Sequence, residues 1–446
     1  MNWIWLGIII TSILCAGFTG QMQQVTIRSF DSAKEAVELA INLIGIMALW
    51  LGIMRVVQDA GLLRIIARWL RRPMRWLFPD VPEDHPAMSA MILNFGANML
   101  GLANAATPFG IKAMIELNKL NKRKGVATDA MCLFLAINTS SLALLPTGVM
   151  GVRAAAGSTD PASIWLPTLL ATLTSTIVGI VIVKLLVRLP RFRLENIPIE
   201  ESEKETESKD VVAELIGQEP ETSDEEKYLG GNERAGWPVR IFIYLCLATF
   251  VLAAVLYYIQ WWKDSADPSG LFIVKDFFSF WAVPALMGGL LLFGVSRKVA
   301  VYESLIEGAK EGFRVAVRII PYMVAILVAV AMFKASGAMA LLQESVGVAM
   351  SYLGMPTEAL PMAIIRPLSG SGAFAYMGSI FNEYGPDSFI GQMVSVMQGS
   401  TETTLYVLAV YFGSVQVFRV RHALAAGLSA DLAGIIAAVC LSNLFF

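Results

Sequence analysis

The stretch IIRPLSGSGAFAYMGSIF, residues 364–381, lies between long apolar runs, yet it contains one arginine, one proline, three glycines and three serines. It is too polar for a continuous membrane-spanning helix and too apolar for a solvated loop. Proline cannot donate a backbone hydrogen bond, and glycine weakens a helix. Backbone outside a helix is tolerated at membrane depth only where protein or a watery cavity surrounds it. The stretch therefore predicts a broken helix or a re-entrant hairpin tip over residues 366–374.

The rest of the chain has the composition of a membrane protein. Its 446 residues are 56% hydrophobic and 16% charged. Apolar runs of about 18 residues or more, the length needed to cross a bilayer, recur along it. The sequence predicts an all-α, polytopic integral membrane bundle with spans at residues 3–18, 38–57, 127–150, 163–188, 239–260, 277–296, 317–335, 388–413 and 423–446. The first run lacks a preceding basic segment, so it is interpreted as a retained span, with a signal peptide as the weaker alternative.

An acidic segment divides the chain into two parts. Residues 195–234 hold 14 acidic and 4 basic residues, whereas the whole chain has a net charge of −2. A segment with so few apolar and so many like-charged residues cannot bury enough surface to fold alone. The predicted organisation is a first membrane half at residues 1–193, a disordered linker at 194–237 and a second membrane half at 238–446.

The two halves share short motifs in the same order, which indicates an internal duplication. The matches are Ala33-Lys34-Glu35 with Ala309-Lys310-Glu311, Gly61 with Gly337, residues 81–98 with 355–372, residues 136–141 with 397–402, and residues 176–180 with 431–435. Both halves also contain an apolar segment interrupted by small and polar residues, at 86–118 and 358–385. The predicted fold is therefore two homologous halves, each with a broken or re-entrant helix. Chance similarity between apolar helices is the alternative.

The distribution of basic residues predicts an orientation in the membrane. Basic residues flank the linker and fill residues 297–318, so the positive-inside rule places both in the cytoplasm. If each half has five crossings, the span at 239–260 is an extra connector that keeps the repeats parallel, with the N-terminus outside. The arginine-rich stretch at residues 62–78 would then lie outside, as an amphipathic helix with its arginines at lipid headgroups.

Polar side chains recur at matching places in the interrupted segments and in the spans that follow them. In the first half these residues are Asn94, Asn98, Asn104, Thr107 and Asn138. In the second half they are Arg366, Ser369, Ser371, Gln398, Ser400, Thr401 and Glu402. Asn94 and Asn98 are four residues apart and hence lie on one helix face. We predict that both sets bind a small polar solute or ion; hydrogen-bonded packing between helices is the alternative.

Two ionisable residues lie inside predicted spans. Glu402 is near the middle of span 388–413, and Asp431 lies in the last span. A charge at that depth costs about 2.5–17 kcal/mol by contested estimates, so it must be paired, protonated or facing water. Arg366 is the natural partner of Glu402. The functional interpretation is a substrate site or a proton or cation relay, and the alternative is a structural Arg366–Glu402 ion pair.

Other chemistries lack their motifs. The sequence has two histidines and no metal-ligand cluster, phosphate loop, dinucleotide fingerprint or nucleophile elbow. We therefore expect no metal or organic cofactor, no nucleic-acid partner and no enzyme activity. An intramembrane hydrolase with Ser369 or Ser371 as nucleophile is a minor alternative. The expected partners are the lipid bilayer and a small polar solute or ion, and a homo-oligomer is compatible with the sequence.

Two sets of long motifs resemble a known pair of protein families. NFGANMLGLANAATPFGIKAM, residues 94–114, resembles the spore maturation protein A family. Three segments resemble the spore maturation protein B family: VYESLIEGAKEGF (301–313), LPMAIIRPLSGSGA (360–373) and GPDSFIGQMVSVMQGSTETTLYVLAVYFGSV (385–415). The resemblance covers nearly everything outside residues 190–260. It implies that two proteins, separate in the family pattern, are fused in this chain.

The resemblance also implies a cellular setting. It indicates a multi-pass protein of the bacterial inner membrane with two nucleoside-recognition, or gate, domains, a type also found in concentrative nucleoside transporters and ferrous iron transporters. It associates the family with dehydration of the spore core. Together, the residues and the resemblance predict a secondary transporter or permease for a small polar solute or ion, nucleoside-like by domain analogy. The alternative is a non-transporting membrane scaffold for envelope or spore maturation.

Overall fold

The computed structural model describes residues 2–101, 103–192, 235–264 and 281–446, and these residues contain no β-strand. The helices of the first half are α1 (Asn2–Thr19), α2 (Met22–Asp59), α3 (Leu62–Leu77), α4 (Pro86–Met99), α5 (Ala103–Leu120), α6 (Asp129–Ser140), α7 (Thr147–Ala155) and α8 (Trp165–Leu186). Helix α9 (Trp237–Asp264) follows. The second half has α10 (Ala282–Ser296), α11 (Val301–Ala335), α12 (Ala338–Tyr352), α13 (Leu360–Ile365), α14 (Gly370–Tyr384), α15 (Phe389–Ser400), α16 (Thr404–Gly413) and α17 (Ala423–Phe445).

The predicted all-α membrane bundle is confirmed. Helices α8, α9 and α17 are each long and apolar enough to cross a membrane by length and composition. Shorter apolar helices, among them Trp5–Thr19 and Asp129–Ser140, accompany them. The acidic stretch at residues 193–234 lies outside the described residues, so the disordered linker and the domain borders stay predictions.

The order of helices repeats between the two halves, as the shared motifs predict. Helix α2 ends just before Gly61, and α11 ends just before Gly337; both glycines have a positive φ, 74° and 82°, that favours glycine. Helices α6 and α15 are each 12 residues long and begin after a hydroxyl side chain, Thr128 or Ser388, that accepts a hydrogen bond from a backbone amide of the first turn. The duplication therefore extends to helix ends and caps.

The two long helices α2 and α11 run antiparallel. Gly52, late in α2, lies so close to the start of α11 that an added Cβ would be 2.7 Å from the carbonyl oxygen of Leu305. At the opposite end, one cavity is lined by Arg28 and Asp31 from the start of α2 and by Lys334 from the end of α11. The start of each helix therefore packs against the end of the other.

This packing makes the predicted parallel arrangement of the repeats wrong. Helices α2 and α11 are equivalent in the duplication, so their antiparallel contact relates the halves by a two-fold axis across the helices. A second equivalent pair, α8 and α17, follows the same rule: Gly179 lies against Ala430, and Gly434 lies against Ser175. The two halves are therefore inverted, an arrangement common among transporters.

Five crossings in each half would require residues 86–118 to cross the membrane. Helices α4 and α5 instead fold back on each other as a hairpin, in which Asn94 Nδ2 donates to the carbonyl oxygen of Ala106 at 2.7 Å. The turn contains Gly101, whose φ of 71° is left-handed. Helices α13 and α14 occupy the equivalent place in the second half. Each half then has four crossings instead of five. Because α9 adds one more crossing between the halves, the second half starts on the opposite side of the membrane and is inverted relative to the first.

The inverted arrangement brings the basic segments to one end of the bundle. Lys184, late in α8, places its Nζ 3.9 Å from the ring centroid of Trp76 in α3. Gly308, early in α11, packs against Arg55, late in α2. Helix α3 itself carries Arg64, Arg68, Arg71, Arg72 and Arg75. The positive-inside rule assigns this end to the cytoplasm, so the arginine-rich stretch is on the cytoplasmic side rather than outside as predicted.

The direction of α1 corrects the predicted position of the N-terminus. Cys15 Sγ and Thr19 Oγ1, both late in α1, donate to the carbonyl oxygen of Ser336, which follows α11 at the end away from the basic segments. Helix α1 therefore begins toward the cytoplasmic end and finishes at the outer end. The outside N-terminus depended on the parallel arrangement and fails with it.

Two predicted continuous spans, 127–150 and 388–413, are broken in the middle. Residues 141–146 separate α6 from α7, and residues 401–403 separate α15 from α16. Each break is tied to the hairpin of its own half. The amide of Leu144 donates to the Met99 carbonyl at 3.0 Å, and the amide of Leu405 donates to the Pro367 carbonyl at 3.3 Å. Hydropathy did not reveal the breaks, because both segments remain apolar overall.

The two broken helices are antiparallel and cross at their breaks. At the outer end Arg153 Nη2 lies 2.9 Å from Asp387 Oδ1, and at the cytoplasmic end Arg421 Nη1 lies 2.6 Å from Asp129 Oδ1. Midway between them, the Glu402 amide donates to the carbonyl of residue 139 at 2.7 Å. Hydrophobic clusters pack around both broken helices. The backbone freed at the two breaks lies where these helices cross, next to the hairpin turns at Met99 and Pro367.

Candidate functional site

A buried arginine holds the break between α15 and α16. Thr401 and Thr403 have extended backbone, which frees carbonyl groups from the helix. Arg366 follows α13 and is 3% exposed. Its guanidinium donates to the Thr401 carbonyl and, at 3.2 Å, to Thr403 Oγ1. The arginine therefore replaces the helical hydrogen bonds that the break removes, and it links the hairpin to the broken helix.

Glu402 lies beside this arginine but is far more accessible. Its Oε2 is 3.7 Å from Arg366 Nη2, and its side chain is 48% exposed against 4% for the arginine. Its backbone is fixed by the hydrogen bond from its amide to the Thr139 carbonyl of the first half. A carboxylate at the crossing point of two broken helices therefore has one buried cationic partner and one open side.

Asp431 is the third charged group at the crossing. It lies in α17, is 1% exposed, and neither carboxylate oxygen has a hydrogen-bond partner among the described residues. The hydroxyl groups of Thr401 and Thr404 flank it, and the charges of Arg366 and Glu402 lie within electrostatic range. The structure thus brings together all three predicted charged residues around one break.

The asparagines of the first half form a hydrogen-bonded network instead, in which Asn94 Oδ1 is left without a partner among the described residues. Asn98 Nδ2 donates to Asn138 Oδ1 at 2.9 Å, and Asn138 Nδ2 donates to the Phe134 carbonyl at 2.8 Å. Tyr411 joins the network from the second half: its hydroxyl accepts from Asn94 Nδ2 at 3.2 Å and donates to Asn138 Oδ1 at 3.4 Å. No sequence pattern singles out this tyrosine, although a buried tyrosine hydroxyl normally requires a polar partner.

The remaining predicted site residues divide into local and open groups. Ser369 Oγ accepts from the Gly372 amide and caps α14, and it lies 3.4 Å from Ser371 Oγ. Ser400 Oγ donates to the Met397 carbonyl one turn back. Gln398 is buried, and its Oε1 has no partner among the described residues. Thr107 is half-buried in α5, and the side chain of Asn104 lies outside the described residues.

The outer ion pair between the halves was not predicted. Arg153 is fully buried and donates to Asp387 Oδ1, to the Pro386 carbonyl and to the hydroxyl of Ser163. Burial raises the pKa of the Asp387 carboxyl, but hydrogen bonds from Ser158 and Thr159, together with the Arg153 charge, outweigh it and lower the pKa below its ordinary value. Asp387 is therefore ionised and joins the end of α7 to the start of α15.

A charged cavity of about 740 Å³ opens at the outer end of the bundle. Its charged and polar lining comes from α2, α11 and α14: Arg28, Asp31, Ser32, Glu35, Lys334, Ser379, Asn382 and Glu383. Lys334 and Glu383 form an ion pair within it. The sequence prediction missed these residues because they are spread over three helices from both halves.

Comparison with known proteins identifies the family. The chain is 46% identical over 173 residues to spore maturation protein B of Bacillus subtilis (strain 168), covering 39% of this chain and 97% of the relative. It is 43% identical over 182 residues to spore maturation protein A of the same organism, covering 41% of this chain and 93% of the relative. This chain belongs to the spore maturation protein family. One polypeptide thus contains a region similar to spore maturation protein A and a region similar to spore maturation protein B, as the resemblance implied.

A family model also matches one segment in each half of the chain. The Gate model, described as nucleoside recognition, covers residues 40–156 and 316–418. Each match runs from the second part of a long helix, α2 or α11, through the hairpin and the broken helix of the same half. Arg366 and Glu402 lie inside the second match, whereas Asp431 lies beyond it. No solved structure matches the chain.

Proposed function

We propose that the chain is a secondary transporter or permease of the bacterial inner membrane that carries a small polar solute or ion, rather than an enzyme. The observation that carries this proposal is the crossing of two inverted broken helices with Arg366 and Glu402 at the crossing point. Inverted-repeat transporters place their substrate sites near the bilayer midplane, at discontinuous helices contributed by both repeats. The proposed site has that construction.

The accessibility of Glu402 supports the presence of a watery space at the crossing. Its side chain is 48% exposed, although it lies between the two ends of the broken helix α15–α16. A carboxylate at this depth is strongly unfavourable against lipid, so charged residues of membrane proteins face cavities or partners. Glu402 has Arg366 on one side, and its open side is available to a solute. The pair could accept and donate hydrogen bonds to one ligand.

The proposed substrate is a neutral or zwitterionic solute with several hydrogen-bonding groups. An Arg–Glu pair presents both donors and acceptors, and Gln398 contributes a buried amide oxygen with no partner among the described residues. The Gate description, nucleoside recognition, is consistent with nucleosides as the first class to test. The names of the relatives suggest that this transport serves envelope or spore maturation in organisms that make spores.

The test is solute uptake into proteoliposomes that contain the purified full-length chain. A panel of nucleosides, amino acids and small organic acids would be screened, and each active solute would be tested for stabilisation of the protein against heat. Binding well above the dissociation constant stabilises by about 2.7 kcal/mol at a hundredfold excess of ligand. We expect Glu402→Gln to abolish uptake while the protein still folds, because the carboxylate is half-exposed and its loss leaves no cavity.

A matched control separates this effect from a general effect of charge. Glu303 is an exposed carboxylate in the first turn of α11, far from the crossing, so Glu303→Gln should transport normally. Uptake at the wild-type rate by well-folded Glu402→Gln protein would reject the proposed site. If no solute is transported or bound, the scaffold interpretation gains, and replacing residues 195–234 with a neutral flexible linker would then abolish function.

A further inference from the structure

Asp431 is a buried acidic residue that the proposed solute site does not use. It is 1% exposed in a helix apolar enough to cross the membrane, and neither carboxylate oxygen has a hydrogen-bond partner among the described residues. Burying an ionised carboxylate without a partner is strongly unfavourable. A balancing group from outside the chain is therefore required when Asp431 is ionised.

The packing of α17 aims this carboxylate at the break between α15 and α16. Gly427, Asp431 and Gly434 share one helix face because they are four and three residues apart. A Cβ at Gly427 would lie 2.8 Å from Thr404 Cγ2, and a Cβ at Gly434 would lie 2.5 Å from Thr401 Cγ2. Asp431 lies between these two contacts. Its carboxylate therefore faces the segment that joins the two threonines.

The hydroxyl groups of Thr401 and Thr404, like the Asp431 carboxylate, are buried without a hydrogen-bond partner among the described residues. Thr401 is 2% exposed and Thr404 is fully buried, and neither Oγ1 makes a hydrogen bond among the described residues. Both hydroxyls approach the Asp431 carboxylate closely enough to interact with its charge, but neither donates a hydrogen bond to it. Four buried oxygen atoms without partners, two from a carboxylate and two from hydroxyls, thus surround one helix break.

We propose that Asp431, Thr401 and Thr404 form a binding site for one dehydrated sodium ion. Hard cations take oxygen ligands, and this cluster supplies oxygens only. The site adjoins the C-terminal end of α15, where freed carbonyl groups and the helix dipole favour a positive charge. Half-helix C-termini and unwound carbonyls coordinate sodium in other inverted-repeat transporters.

The charges at the crossing favour a monovalent ion. With Arg366 positive and both carboxylates ionised, the cluster has one uncompensated negative charge. Arg366 does not neutralise Asp431 by contact, because its guanidinium is bonded to the Thr401 carbonyl and Thr403 Oγ1 and pairs with Glu402. One sodium ion would balance the cluster, whereas a divalent ion would reverse its charge.

The equivalent position in the first half does not provide a second site. Thr176 stands where the second half has Asp431, and its hydroxyl donates to the Thr172 carbonyl at 2.8 Å. This neutral, satisfied side chain lacks both the charge and the free oxygen. The site therefore belongs to the second half, with one ion for each chain.

The sodium site rests on the proposed transport function only for its use in coupling. Binding of the ion is a property of the folded protein and can be measured without a solute. Sodium binding without solute uptake would leave the site in place and remove the coupling role. Uptake that ignores sodium would support transport and separate it from this site.

The experiment measures thermal unfolding of the purified full-length chain in sodium chloride and in choline chloride at constant total salt and pH. Choline is too large for a site of this kind, so only sodium should raise the melting temperature, with a rise that grows with the logarithm of its concentration. Binding of radioactive sodium to the same protein gives an independent readout. We expect one saturable site for each chain.

Variants locate the site. Asp431→Asn should remove both the thermal response and the sodium binding, and Thr401→Ala should weaken the apparent affinity by about tenfold, as expected for losing one ligand to a charged group. Thr401→Ser keeps the hydroxyl and should retain the response. Ser429→Ala is the matched control in the same helix, because its hydroxyl only donates to the Ala425 carbonyl.

Three outcomes would overturn the proposal. Equal melting temperatures in sodium and choline would show that there is no sodium site. A sodium response that survives in Asp431→Asn would place the ion elsewhere. Stability that depends on pH through Asp431, with no dependence on sodium, would make this residue a proton carrier instead. If Asp431→Asn does not fold, the contrast between Thr401→Ala and Thr401→Ser decides the question.

Discussion

The polar centres of the two halves occupy equivalent places but differ in what they leave unpaired. Asn138 in the first half has both ends of its amide group paired, with bonds to Asn98, Tyr411 and the Phe134 carbonyl. Gln398 occupies the same position in α15 as Asn138 does in α6, counted from the capping residues Ser388 and Thr128. It keeps a buried amide oxygen with no partner among the described residues. The second half also holds all three charges. The first-half centre thus pairs most of its own polar groups, whereas the second-half centre leaves the Gln398 amide oxygen and both Asp431 oxygens without partners among the described residues.

The most direct way to break this comparison is to replace both amides by leucine. Asn138→Leu should reduce the free energy of unfolding by about 3 kcal/mol, because two buried donors and one acceptor lose partners at roughly 1 kcal/mol each. Gln398→Leu should cost much less, because its amide oxygen has no partner to lose. Unfolding of both variants in sodium dodecyl sulfate, compared with the wild type, gives the two values.

Solute uptake completes the contrast. Gln398→Leu should lose transport with little loss of stability, whereas folded Asn138→Leu protein should retain it. Equal destabilisation by the two substitutions would mean that both centres are structural, and the distinction between the halves would fail.

The sequence was sufficient for the features that depend on neighbouring residues. The break between α13 and α14 was predicted from Pro367, Gly370 and Gly372, because proline lacks an amide donor and glycine weakens a helix. The duplication was predicted from short motifs such as the paired Ala-Lys-Glu, and helix ends near Gly61 and Gly337 agree with it. Local backbone chemistry carries this information.

Features that depend on distant contacts were beyond the sequence. A hairpin and a crossing of equal hydropathy have the same composition, so the number of crossings in each half, and with it the parallel arrangement, could not be decided from residues 86–118. The breaks at 141–146 and 401–403 are fixed by hydrogen bonds to the hairpins, which no periodicity reveals. Tyr411 joins the asparagine network across 317 residues of chain from Asn94. The charged residues were predicted because charge is rare in such spans, but their grouping needed the inverted packing.

A second pair of substitutions sharpens the comparison through packing. Gly434 and Gly179 are equivalent glycines on the facing helices α17 and α8. An added methyl group at Gly434 would lie 2.5 Å from Thr401 Cγ2, whereas one at Gly179 would lie 3.3 Å from Ala430 Cβ. Overpacking costs about 1–3 kcal/mol, so Gly434→Ala should destabilise by about 2 kcal/mol.

Gly179→Ala should be close to neutral, because a small shift of Ala430 and the better helix propensity of alanine offset each other. Gly434→Ala should also weaken any sodium response, since it pushes Thr401 away from Asp431. Thermal unfolding of both variants in sodium and choline salts measures the two effects together. A larger cost at Gly179 would contradict the close approach of α17 to the ligand-binding break.

The smallest expected effect concerns the ion pairs that join the broken helices at their two ends. Asp387 accepts hydrogen bonds from the side chains of Ser158, Thr159 and Arg153. Asp129, in contrast, accepts one side-chain hydrogen bond within the described residues, from Arg421. Asp387→Asn should therefore cost about 1 kcal/mol at neutral pH, the net value of a charged hydrogen bond discounted for partial exposure. Asp129→Asn, its counterpart, should cost less.

Acidification provides the readout specific to Asp387. Its pKa is lowered in the folded protein, so its contribution to stability is fully present above the ordinary carboxyl pKa and is lost as the pH falls through the folded value. Thermal unfolding at a series of acidic pH values should show a steeper loss of stability in the wild type than in Asp387→Asn. Parallel curves for the two proteins would mean that Asp387 is not held ionised by its partners, and the outer ion pair would then contribute no more than the cytoplasmic one.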